Sequence, residues 1–278
     1  MANFSLRTGN NYARRLLTLV WAWLVCISAS LPVAASAAAS DAAREKRFAD
    51  EVTAQLVVGD AVTVPPPPGA PAAYRPFLGL YTLGKPGLPA VVLVHGVGTH
   101  PDDGLTGSLR LRLNDLGYTT LAFQMPIAAK EATVDDYYPA LFPEAGARLQ
   151  AASLWLRDKG HAKVALVSHT FGSWMANVYL DKNLNEVAPN MAYQAWVCIS
   201  LTGGYSFAVR NYPFPVLDLY GENDIPVTVS SAWRRNGLLR LAAAGSRQQM
   251  IPGADAQWRG KEQAAAQAIA DFLRVAVP

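Results

Sequence analysis

The residues best suited to chemistry lie where short apolar runs end. In "VALVSHTFGS", residues 164–173, a buried strand runs into a tight turn and then a helix, and Thr170 stands at the corner. A threonine hydroxyl can attack a carbonyl carbon, but at neutral pH it is almost wholly protonated and needs a base to take its proton. The chain has four histidines, His95, His100, His161 and His169, and none follows His169. His95 and His169 read as structural, and His161, after Gly160 at a helix end, reads as solvated. His100 lies in "GTHPDD", a loop that could fold over a pocket, and is the candidate substitute base or ligand contact. Its alternative is a loop-fixing role beside Pro101. Asp102 and Asp103 read as a helix-cap region. The spacing of His100, Asp102 and Asp103 matches no metal site, so neither a metal nor any other cofactor is expected. Cys198, inside "AWVCIS", reads as a core thiol rather than a nucleophile.

These residues need a scaffold, and the pattern around them supplies one. Apolar runs of five to eight residues occur at "FLGLYTL", "AVVLVHG", "YTTLAFQM", "KVALVSH", "QAWVCISL", "PVLDLYG" and "RQQMIPG". Runs of that length bounded by turn residues fit strands covered on both faces. Helical stripes fall between them. Leu109, Leu113 and Leu116 share one face, and Gly117 ends it. Leu149, Ala152 and Leu156 make a second stripe, expected to be entered through Pro143 and Glu144 and closed by Gly160. Ala265, Ile269, Phe272, Leu273 and Ala276 make the last. Alternating strands and helices predict a doubly wound α/β sheet with its ligand site at the carboxyl ends of the strands.

Three loops at those ends resemble loops of the α/β-hydrolase superfamily. His95-Gly96-Val97-Gly98 is similar to the turn whose backbone N–H groups help to form an oxyanion hole, which implies that role for Gly96 and Val97, with Phe171 after the corner. Asp224, in "LDLYGENDIPV", matches the superfamily's triad acid, and the order along the chain agrees. "HPDDGLTGSLRLRLNDLGYTTLAFQMP", "LFPEAGARL" and "VSHTFGSWM" together resemble a bacterial family of exported α/β-hydrolase-like proteins over roughly residues 45 to 275. The resemblance implies an α/β-hydrolase fold, doubly wound with a mostly parallel sheet, and says little about substrate. "TGGYSFAVRNYPF" is too short for a lid domain, so the pocket is expected to be open, with Tyr205, Phe207 and Tyr212 on its rim or simply covering the sheet. Two positions depart from the superfamily. The corner frame reads Ser168-His169-Thr170-Phe171-Gly172, with threonine for serine; the corner residue there sits at strained positive φ, which costs a β-branched residue roughly 1–3 kcal/mol. In that superfamily the residue before the nucleophile points away from the reaction, which is the expectation for His169. Ala256 holds the position where the triad histidine is expected, so Asp224 has no imidazole to orient.

The first 37 residues carry Arg7, Arg14 and Arg15, no acids, an apolar run from about Leu16 to Val33, and "VAASAAAS". This is the order of a secretory signal peptide cut near Ala35 or Ala37, the alternative being an uncleaved anchor. The expected segments are therefore 1–37, signal; 38–75, a charged and proline-rich lead-in; and 76–278, the α/β-hydrolase-like domain. The whole chain has 24 Lys+Arg and 21 Asp+Glu. Without the signal's three arginines the charges balance, which removes any electrostatic case for nucleic acid. Cys26 leaves with the signal, so an intrachain disulfide at Cys198 is not expected in the mature protein. The expectation is an exported binding or scaffold protein, or a very slow hydrolase, holding a small ester or acyl ligand. The alternative is an active carboxylic-ester hydrolase using Thr170 with a base such as His100. An envelope protein could dock on the lead-in, and a membrane would be met only through an uncleaved signal.

Overall fold

A computed structural model of the chain describes residues 40–185, 193–202 and 207–278. Its centre is an eight-stranded sheet in the order β1-β2-β4-β3-β5-β6-β7-β8. The strands are β1 (Asp60–Val64), β2 (Phe77–Thr82), β3 (Ala90–Val94), β4 (Thr120–Phe123), β5 (Val164–His169), β6 (Trp196–Ile199), β7 (Val216–Asn223) and β8 (Arg247–Asp255). β1 and β2 run antiparallel to their neighbours, and every pair from β4 across to β8 is parallel.

The central strands are buried along their length, as their continuous apolar runs require. Side chains nevertheless alternate between two cores. Val92, Val94 and Leu166 face one; Val91, Leu93, Ala165 and Val167 face the other. On the second face lie α2 (Gly104–Asp115) and α6 (Glu262–Ala276), which contribute Leu105, Leu109 and Leu113, and Ile269, Phe272 and Leu273. On the first lie α3 (Val134–Asp158) and α4 (Phe171–Asn185), including Leu149, Ala152 and Leu156, and Met175 and Leu180. Each such leucine, fully buried, contributes roughly 1.5–3 kcal/mol. α5 (Pro226–Leu239) connects β7 to β8.

α3 starts well before the expected entry at Pro143. The helix passes through that residue because Pro143 is on the exposed side, while Leu141, Ala145, Leu149, Ala152 and Leu156 form one continuous buried stripe. Packing of that stripe outweighs the backbone hydrogen bond that proline cannot donate.

The lead-in is built into the sheet unit. α1 (Ala42–Gln55) is capped by Asp41, whose carboxylate accepts the Arg44 N–H at 3.0 Å, and β1 pairs with β2 from Asp60↔Tyr81 to Val64↔Phe77. Residues Ala38–Pro278 form one compact unit. A buried ionic cluster ties α1 to α3. The Arg148 guanidinium donates to Glu45 at 2.9 Å and to Glu144 at 2.5 Å, and Glu144 also accepts the Ser40 N–H. Burial pushes the Glu45 carboxyl above its usual range, with Arg148 opposing the shift. The connection from β6 to β7 contains a single 3-10 turn, Phe207–Asn211, among the described residues.

Candidate functional site

The strand-to-helix corner places Thr170 between β5 and α4 at φ 50°. Its N–H donates to the Ile199 carbonyl at 2.8 Å and its carbonyl accepts the Ser173 N–H at 3.0 Å, so neighbours hold the left-handed geometry on both sides. Two glycines make the corner sterically feasible. A Cβ on Gly172 would lie 2.4 Å from the His95 carbonyl oxygen, and one on Gly96 would lie 2.7 Å from Thr170 Oγ1. The His95–Gly98 turn and the corner are therefore packed backbone against backbone, with the Thr170 hydroxyl directed to the turn.

His95 holds that turn. It is almost fully buried; its Nε2 accepts the Met125 N–H at 2.9 Å, and its Nδ1 donates to the Gly96 carbonyl at 2.7 Å. Burial lowers its pKa to about 4, only partly offset by the Gly96 carbonyl, so the ring is neutral.

Thr170 opens on a cleft of about 470 Å³ whose wall also includes Gly96, Val97, His169, Ala256 and Arg259. His169 is among the residues that line the cleft. His169 Nε2 is shielded from solvent and has no hydrogen-bond partner among the described residues. Burial lowers its pKa to about 4, while the Asp224 charge and a hydrogen bond with the Ala256 backbone pull the other way.

His100 is elsewhere. Its ring packs edge-on against Phe48 of α1 at 5.3 Å between centroids, and it is not among the residues lining the cleft. The structure therefore does not bring His100 together with Thr170. Asp103 lines the cleft and is the N-cap residue of α2, but makes no side-chain cap bond and accepts instead from the Thr99 hydroxyl. Asp102 is paired with Arg110 at 2.7 Å. His161, expected to be solvated, meets the Tyr81 hydroxyl at 3.0 Å and has a pKa lowered by burial.

Asp224 follows β7, buried to 6 % exposure. Its Oδ2 accepts the Ser200 hydroxyl at 2.5 Å and the Gly221 N–H at 3.2 Å, and its Oδ1 accepts the Ile225 N–H at 2.8 Å. Ser200 in turn accepts the Trp258 indole N–H at 2.9 Å. Thr170, Ser200 and Trp258 are the non-glycine residues with positive φ among those described, and each follows a strand at this end of the sheet. Backbone strain of this kind concentrates at functional sites.

Tyr212, read as either rim or sheet cover, is 2 % exposed and takes the second place; its hydroxyl donates to Asp181 of α4 at 2.5 Å. The apolar ring packs inward, with Asp181 and the buried Asn177 as acceptors for its one polar group. Tyr205 and the side chain of Phe207 lie outside the described residues. Cys198 is buried in β6, its thiol donating to the Leu217 carbonyl at 3.6 Å. Among the described residues no cluster of three His, Cys, Asp or Glu could hold a metal ion.

No model of a known protein family matches this sequence, and no curated protein matches it. Solved structures do. A dienelactone hydrolase from Anabaena variabilis is similar at 21% identity and TM-score 0.61, over 79% of this chain and 98% of that one. An esterase from Pyrococcus furiosus is similar at 14% identity and TM-score 0.60, over 80% and 97%. An α/β serine hydrolase without lid from Xanthomonas campestris is similar at 16% identity and TM-score 0.58, again over 80% and 97%. The fold is the α/β-hydrolase fold; at these identities the likeness extends to architecture and no further.

Proposed function

We propose that this chain is an exported protein of α/β-hydrolase fold that holds a small ester or acyl ligand in the Thr170 cleft, with hydrolysis very slow or lost. One observation carries the reading. The Thr170 hydroxyl faces a cleft in which, among the described residues, no imidazole is hydrogen-bonded to it, and Ala256 lines that same cleft where the superfamily would supply the base. Without proton removal a hydroxyl is a poor nucleophile, and general-base assistance is typically worth ~10²–10⁴ in rate. The acid is also engaged elsewhere, since Asp224 binds the Ser200 hydroxyl and two backbone N–H groups. Export is supported by the basic start and apolar run of residues 1–37.

The unpartnered His169 Nε2 favours a second reading, a slow ester hydrolase in which His169 takes the Thr170 proton. Thr170 Oγ would add to the ester carbonyl, the proton would pass through His169 to the departing alcohol, and water would release the acid from the acyl-threonine. N–H groups at Val97 and Phe171 would hold the oxyanion.

Turnover of short activated esters separates the readings. The native chain is expected to stay near the uncatalysed rate, and Thr170→Ser combined with Ala256→His to exceed it by about 100-fold or more. Asp224 uses three of about four acceptor positions, which leaves one for a new imidazole. Substantial native turnover that disappears in Thr170→Ala overturns the first reading; its disappearance also in His169→Ala establishes the second.

A further inference from the structure

α5 carries an exposed apolar face that neither reading of the cleft uses. Ile225, Val227, Val229, Trp233 and Leu241 are all exposed along it or at its ends, Trp233 to 70 % and Leu241 to 64 %. Pro226, Val229, Trp233 and Gly237 follow the three- and four-residue steps of one helix face. Cations accompany the stripe. The Arg234 guanidinium lies 5.1 Å from the centre of the Trp233 ring, and Arg240 is exposed at the helix end. The third arginine, Arg235, turns inward to Asp218 at 2.8 Å. From Ile225 to Leu241 the sequence contains no aspartate or glutamate.

We propose that this face docks on an anionic phospholipid bilayer, independently of what the cleft does. A tryptophan flanked by arginines suits the boundary between headgroups and acyl chains, where the indole is half-buried and the guanidinium groups meet phosphates. Charge decides for a lipid surface over a second copy of this chain. Two exposed cations without an acid on the helix complement anionic headgroups, whereas a self-contact through the same face would set arginines against arginines. The stripe begins at Ile225, next to Asp224, so docking would bring the strand ends around the cleft close to the bilayer.

The test uses residues Ala38–Pro278, a compact unit with both cores, because the apolar run of residues 16–33 would itself enter a membrane. The protein is sedimented with vesicles of phosphatidylglycerol and phosphatidylethanolamine, or of phosphatidylcholine alone. Binding to the anionic vesicles is expected to be about fivefold stronger or more, and to weaken in high salt. Trp233→Ala should lower it about tenfold, and Arg234→Glu with Arg240→Glu should erase the preference for anionic lipid. These side chains are exposed, so the melting temperature should hold. Equal binding to both vesicle types, or binding indifferent to Trp233→Ala, overturns the proposal. So does a dimer in light scattering that Trp233→Ala converts to monomer, which would make the face a self-contact.

Discussion

Thr170 pays a steric penalty that its surroundings enforce. A β-branched residue at φ 50° is an outlier, held there by the Ile199 carbonyl on one side and the Ser173 N–H on the other. Asparagine tolerates the left-handed region and, unlike glycine, adds little freedom to the unfolded chain. Thr170→Asn is therefore expected to raise stability by about 1 kcal/mol in urea denaturation. A loss instead would mean that the threonine methyl packs against something worth more than the strain. Ser200 has the same backbone sign at φ 53° but is fully buried, its hydroxyl spent on Asp224, so strain there serves the frame rather than access to ligand.

At the scale of elements, the piece least expected to matter at the site is α1. Arg44 donates to the Gly98 carbonyl at 3.1 Å and to the Ala128 carbonyl at 3.0 Å, and its guanidinium lies 5.6 Å from the Phe48 ring, which in turn meets His100. The helix thus grips the loop that follows His95. Removing those donors with Arg44→Ala should speed amide exchange in residues 96–103 about tenfold, the equivalent of one hydrogen bond to a charged group. β5 and β6 should be unaffected. Uniform acceleration across the sheet would show that Arg44 supports the whole unit rather than this loop.

For the molecule as a whole, two neutral histidines shape the response to acid. His95 and His169 are both held at about 4 by burial, against an ordinary 6.5. Above pH 6.5 they are neutral folded or unfolded, and their contribution to stability is complete. As the pH falls from 6.5 toward 4 the unfolded chain binds protons that the folded one does not, and stability is lost. The deeply buried His95 alone accounts for about 3 kcal/mol of this. Glu45 and Asp218 act in the opposite sense, because burial raises their values and they take up protons first in the folded state. Their effect begins above the ordinary carboxylate values of 4.5 and 3.8, so it overlaps the histidine window and opposes part of the loss there. The urea midpoint should therefore be constant from pH 8 to 7 and fall between 6.5 and 5; a flat profile through pH 5 would contradict buried, neutral imidazoles.

Local pattern alone determined the architecture. Seven expected runs became seven strands of the sheet; the central ones are apolar throughout because both faces are covered, and such runs are visible without knowing their neighbours, whereas β8 is a largely uncovered edge strand. The elbow, the glycine turn and Asp224 were legible for a related reason, since tight turns demand particular residues at particular offsets. What surrounds the Thr170 hydroxyl was decided only by tertiary structure. His100 stands four residues past the glycine turn at Gly96 yet leans on Phe48, while His169, next to Thr170 in sequence, is among the residues that line the cleft. The place of Tyr212 between rim and sheet cover, and the start of α3, were likewise decided by packing against elements distant in sequence, which outweighed a proline in α3.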